Sequence, residues 1–155
     1  MGYTHYFPGL RATPDVIADA RKIIAASSVT ICGPNGEGLP ATTETQGIRL
    51  NGDKAGGESY ETFHLRGTDV PRRPAMTDFC KTENQPYDEV VTAILIASAV
   101  RAFESTTGVV TSDGPWDNWA AGLELYERAV RLLTDQEKLA LELDVERMRP
   151  EPFHD

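Results

Sequence analysis

The chain has 155 residues, enough for one domain that buries on the order of 70% of its unfolded surface and holds a core without disulfides or metal. A composition of 40% hydrophobic and 25% charged residues excludes wholesale disorder. A formal net charge of −9 argues against non-specific nucleic-acid binding, which needs clustered Lys and Arg to release counterions, and the basic positions Arg66 and Arg72–Arg73 read as solvated loop charges.

In chain order, Tyr3–Phe7 mixes aromatics with Thr and His and predicts a strand, stopped by Pro8-Gly9. Thr13, Pro14 and Asp15 are an N-cap, a first helical position and an acidic first turn, and Val16, Ala20, Ile23 and Ile24 give a helix over 14–26 an inward face. Val29–Cys32 predicts a short strand running into the turn-rich Gly33–Gly38. Gly47–Asn51 and Ser59–Leu65 predict a hairpin with an irregular tip, and alternation in its second strand turns Glu61 toward the core, where a carboxylate needs a partner. Residues 67–76 predict an irregular loop, and Thr77–Thr82 a further strand. Pro86 opens the longest apolar segment, a helix over 86–104 with little polar face, which is expected at the centre of the core.

Gly108–Thr111 predicts a last strand, and Trp116, Trp119, Leu123, Tyr126, Val130 and Leu133 recur at helical spacing. Thr134–Glu137 is a capping box that starts a separate acidic helix, whose apolar residues fit no single face and leave residues 134–148 for contact with another subunit. The order β-α-β-β-β-β-α-β-α-α predicts an α+β fold: a mostly antiparallel sheet, helices packed on one face and an extra C-terminal helix. The expected division is a single α+β domain over 1–133, an appended helix over 134–149 and a tail over 150–155.

Two cysteines, Cys32 and Cys80, are too few for a disulfide framework and read as buried thiols. The N-terminus carries no basic-then-apolar signal pattern, Tyr6 stands where N-myristoylation wants Ser or Thr, and the Val90–Val100 run is too short to span a bilayer. A cytoplasmic protein without a membrane partner is expected.

Known signatures fail. Gly33–Gly38 lacks both the dinucleotide spacing and a following helix to supply aligned N–H groups, so it reads as a turn. His5, His64 and His154 show no metal-ligand spacing, no Cys-x-x-Cys is present, and no Gly-x-Ser-x-Gly elbow supports a hydrolase. No catalytic residue, metal site or cofactor is therefore assigned. Three clusters remain: Tyr3–Phe7, Phe79–Glu83 just before Pro86-Tyr87-Asp88, and Ser112–Trp119. Strand ends and helix starts commonly present ligand-binding groups. Together the clusters supply stacking surfaces, a cation, hydroxyls and a carboxylate, an inventory that suits a nucleotide-like ligand held by Tyr3, His5, Tyr6, Lys81, Thr82, Asp113 and Trp116.

These same clusters, Gly2-Tyr3-Thr4-His5-Tyr6, Phe79-Cys80-Lys81-Thr82 and Ser112-Asp113-Gly114 with Trp116, resemble a group of short, uncharacterised phage and prophage proteins along most of residues 1–130. The resemblance implies an accessory protein of the host-cell cytoplasm, one that sequesters a nucleotide signal of host defence or inhibits a host factor; it lends no site. Three expectations follow: binding of a small polar aromatic ligand, a protein–protein inhibitor or assembly module (including a homo-oligomer) using residues 134–148, and a small hydrolase or nucleotide-modifying enzyme with His5 or Glu61 as base.

Overall fold

A computed structural model describes residues 3–68, 78–103 and 110–147. Its elements are β1 (Thr4–Tyr6), α1 (Pro14–Ala26), β2 (Ala41–Thr43), β3 (Gly47–Leu50), β4 (Phe63–Leu65), β5 (Phe79–Lys81), α2 (Asp88–Arg101), β6 (Thr111–Ser112), α3 (Ala120–Ala129) and α4 (Asp135–Val145). The fold is α+β, with two three-stranded antiparallel sheets, ordered β5-β1-β6 and β2-β3-β4, in place of a single one. Phe7 and Phe63 meet edge to face with centroids 5.4 Å apart and join the two sheets in one core.

The helices begin where local chemistry starts them. The Thr13 hydroxyl accepts from the Val16 amide at 3.3 Å and Pro14 occupies the first turn of α1. Asp19 of α1, although buried, is held by a two-pronged bond from Arg101 at 2.8 and 3.2 Å, which ties α1 to the end of α2. As expected of a helix apolar all round, α2 is the middle of the core, with Val90–Ala99 buried throughout. Against it α3 packs closely at Gly122, where a Cβ would sit 1.8 Å from the Thr92 hydroxyl oxygen. The 116–133 stripe enters as a 3₁₀ turn over Trp116–Trp119 before becoming α-helical.

The Thr134–Glu137 capping box forms in full. Residues 134–147 are more than an appendage: Leu141 and Val145 are fully buried in the common core, and the Glu146 carboxylate accepts from the Trp116 amide at 2.8 Å.

Two expected strands differ. Val29–Cys32 makes only an isolated bridge, Cys32 to Asn51, because the chain folds back at once, the Gly33 amide bonding to the Glu37 and Gly38 carbonyls. The strand comes later, at Ala41–Thr43, where pairing with β3 imposes extended backbone on a segment without a local strand pattern. Within the 47–65 hairpin, Glu61 precedes the paired residues; it is exposed, and its carboxylate accepts from the Lys81 amide at 2.8 Å. Buried Asn51 organises the irregular tip: its amide nitrogen donates to the Tyr60 carbonyl and the Thr62 hydroxyl, and its oxygen accepts from the Gly52 and Tyr60 amides. The readings of residues 69–77, 104, 108–109 and 148–155 fall outside the described residues.

Candidate functional site

Side chains alternate across a strand, and that alternation divides the predicted site residues. His5 pairs in register with Cys80 and Ser112, so these three share the face of the β5-β1-β6 sheet that looks onto α2 and Trp119. Tyr6 pairs with Phe79 and Thr111, and Thr4 with Lys81, on the opposite face. There the Tyr6 hydroxyl donates to Asp113 at 3.2 Å. Tyr6, Lys81 and Asp113 thus stand on the outer face, while Tyr3, His5 and Thr82 turn inward. Trp116 stacks on Trp119 at 5.9 Å, on the inner side but at its margin.

The inner residues form a hydrogen-bonded chain. His5, fully buried, places Nδ1 2.5 Å from the Ser112 hydroxyl and Nε2 2.6 Å from Oδ1 of Asp88. The Trp119 indole N–H donates to the same Ser112 oxygen at 3.1 Å, and the Thr82 hydroxyl donates to Asp88 Oδ1 at 2.6 Å. Donor and acceptor types set most of these directions. An indole only donates, so the Ser112 oxygen accepts from it. A carboxylate only accepts, so His5 carries a proton on Nε2. The Ser112 hydroxyl and His5 Nδ1 complete the chain with one hydrogen between them. Tyr3 and Trp119 lie edge-on to the imidazole, with centroids at 4.8 and 5.2 Å.

Both donors to Asp88 converge on Oδ1, which leaves Oδ2 as an acceptor with its position fixed. Asp88 lines a cleft of about 180 Å³ at the start of α2, beside the side chains of Asn84, Gln85, Glu89 and Asn118. Glu89 has its acid pushed up, first by burial; the Arg128 guanidinium opposes this and the neighbouring carboxylates of Glu124 and Asp88 add to it. The cleft's edge is a strained turn: Glu83 and Asn84 both have left-handed backbone, φ 53° and 58°, and the Gln85 amide closes onto the Thr82 carbonyl. That is the two-residue geometry glycine and asparagine favour, so Glu83 is held there at a cost of about 1 kcal/mol. Its carboxylate is anchored by the Tyr3 amide at 3.0 Å. The buried Tyr3 hydroxyl lies near the Asn118 amide and the Trp119 indole without a well-formed bond, and burial together with the field of Asp88 pushes its ionisation well above the usual phenol range.

The three polar clusters therefore do converge, but on a filled network with a small cleft at one end. His5, Glu61 and Asp113 lie in three separate surroundings and do not form one catalytic set. Cys80 is buried on the inner face; burial, then the Glu61 carboxylate, keep its thiol protonated far above neutral pH. Asp88 and Asn118, central to the arrangement, lie outside the seven residues proposed from sequence. A signal for Asp88 was present: an acid in the first turn of a helix that is otherwise buried needs a partner.

Among the described residues, no three or more His, Cys, Asp or Glu side chains are arranged to hold a metal ion, and no helix is long and apolar enough to cross a membrane. No protein-family model, curated protein or solved structure matches the chain.

Proposed function

We propose that the chain binds a small, planar, amine-bearing ligand of nucleobase or nucleotide type in the Asp88 cleft, holding it without turning it over. One observation carries this reading: Asp88 lines the cleft while His5 and Thr82 both bond to its Oδ1, so neither of those donors takes Oδ2. An acceptor left over in this way selects an N–H donor, such as an exocyclic amine. The carboxamides of Asn84, Gln85 and Asn118 each offer a donor and an acceptor, as reading the edge of a heterocycle requires. At about 180 Å³ the cleft is smaller than the roughly 300 Å³ at which drug-sized pockets begin, so it suits one ring system. The carboxylates of Asp88 and Glu89 oppose a phosphate inside it, so the ribose and phosphate of a nucleotide project outward. Sequestration of a nucleotide signal, the role the resemblance to phage and prophage proteins implies, is the form of binding we propose.

A second reading, hydrolysis with Ser112 as nucleophile and His5 as base, has the connectivity but lacks access: Ser112 is 2% exposed beneath Trp119 and does not line the cleft.

Thermal shift and calorimetry against nucleosides, mononucleotides and cyclic dinucleotides test the proposal. At least one is expected to raise the unfolding midpoint, since a ligand at 100 times its Kd adds about 2.7 kcal/mol. Glu89→Gln and Asn118→Ala should each weaken it about tenfold, each ligand-induced shift being read against the midpoint of the same variant without ligand. No shift with any compound at millimolar concentration overturns the reading, and labelling of Ser112 by a fluorophosphonate probe establishes the hydrolase instead.

A further inference from the structure

Helix α4 turns two apolar residues inward and two outward. Leu141 and Val145 are buried, whereas Leu139 and Leu143, one turn apart, are 56% and 63% exposed. On a helix of 3.6 residues per turn, Asp135 lies about one turn before Leu139, and Glu142, seven residues or two turns after Asp135, returns to the same side, so the two carboxylates line one flank of the leucine pair. The cations beside α4 among the described residues are already engaged: Arg131 with Glu137 at 2.9 Å, Lys138 with Glu127 at 3.5 Å and Arg147 with Asp144 at 2.7 Å. Among the described residues none pairs with Asp135 or Glu142. Along the stripe, the uncompensated charge of the described residues is therefore negative, and the apolar pair is exposed.

We infer that this face docks an amphipathic helix of another protein, whose apolar side is bordered by Lys or Arg. Charge complementarity selects that occupant. A second copy of the chain would bring its own net charge of −9 and set the same acidic flank against this one. A helix laid along α4 places its leucines between Leu139 and Leu143 in the manner of a short coiled-coil seam, with its basic border over Asp135 and Glu142. This face stands apart from the Asp88 cleft, and its role does not depend on the ligand proposed there.

The test uses fluorescence anisotropy of two labelled model peptides, one an 18-residue amphipathic helix of Leu and Lys, the other of Leu and Glu, the length being about five helical turns. The Leu/Lys peptide is expected to bind the full chain and to weaken as salt rises. Leu139→Ser with Leu143→Ser, and separately Asp135→Asn with Glu142→Gln, should each weaken it about tenfold. Glu44→Gln with Glu58→Gln, an equal loss of charge elsewhere, should leave binding unchanged, and the Leu/Glu peptide should not bind. No binding of the Leu/Lys peptide, or equal binding by the leucine double variant, overturns the inference. So does a dimer in light scattering that the leucine substitutions dissolve, because the occupant would then be a second copy.

Discussion

At the residue scale, the chain from Trp119 through Ser112 and His5 to Asp88 and Thr82 spends one buried hydroxyl on two partners. Removing that hydroxyl in Ser112→Ala strands the Trp119 N–H and His5 Nδ1, and each orphaned buried group costs about 1–3 kcal/mol. The variant should therefore lose at least about 2 kcal/mol in urea denaturation. Tyr3→Phe, although equally buried, removes a hydroxyl with no well-formed bond and should be neutral or stabilising by up to about 1 kcal/mol. Equal losses in the two variants would show that burial, rather than satisfied bonding, sets their contributions. Three members of this chain, His5, Thr82 and Ser112, stood out in the sequence as polar groups at strand ends. Their inward orientation, opposite to Tyr6, Lys81 and Asp113, did not, because it follows from a register set by β5 and β6, which lie far away in the sequence.

At the element scale, what was legible was what local chemistry determines. The start of α1 is written in Thr13 and Pro14 and that of α4 in Thr134 and Glu137, and both helices begin there. By contrast, β2 exists only through its pairing with β3, and the bridge at Cys32 is cut short by the bonds that close the Gly33 loop. The 82–85 turn is a local element whose strain can be relieved. Asn84→Gly places the residue that left-handed backbone prefers at the second position while keeping the Glu83 anchor on Tyr3. It should raise stability by roughly 0.5–1 kcal/mol, or a few degrees in Tm, and at the same time weaken the proposed ligand by removing a lining carboxamide. A stabilised variant with unchanged ligand affinity would take Asn84 out of the site.

At the scale of the whole molecule, pH acts through carboxylates of opposite sign. Arg131, and then the Thr134 amide, hold the Glu137 acid down to about 2. A depressed acid contributes stability that is present above its unfolded value near 4.5 and is lost as pH falls through the folded value. Because the pair is partly exposed, that contribution is about 1 kcal/mol. Glu89 and Asp144 are raised, chiefly by burial, so their charged forms weaken the fold near neutrality and protonation relieves them. Stability should therefore hold or rise from pH 7 to about 4.5 and decline below it, and Glu89→Gln should flatten the rise. Circular dichroism melts across that range check both limbs, and a monotonic fall from neutrality would contradict the opposed signs.

Two Asn–Gly pairs, Asn35-Gly36 and Asn51-Gly52, give the chain an uneven chemical ageing. Deamidation at such a pair proceeds when the glycine nitrogen, giving up its proton, attacks the asparagine side-chain carbonyl and expels ammonia to close a succinimide, which water opens to aspartate or isoaspartate. Asn35 is exposed, and although the Gly36 nitrogen donates to the Gly33 carbonyl at 3.0 Å, only that short local turn has to loosen for the attack to occur. At Asn51 the Gly52 nitrogen is already committed as a donor to the side-chain oxygen at 2.7 Å, and the carboxamide is pinned at both ends in the core. Ring closure at 51 requires the hairpin tip to open first. Isoaspartate at 35 thus records elapsed time, whereas isoaspartate at 51 records how much of that time a molecule has spent unfolded.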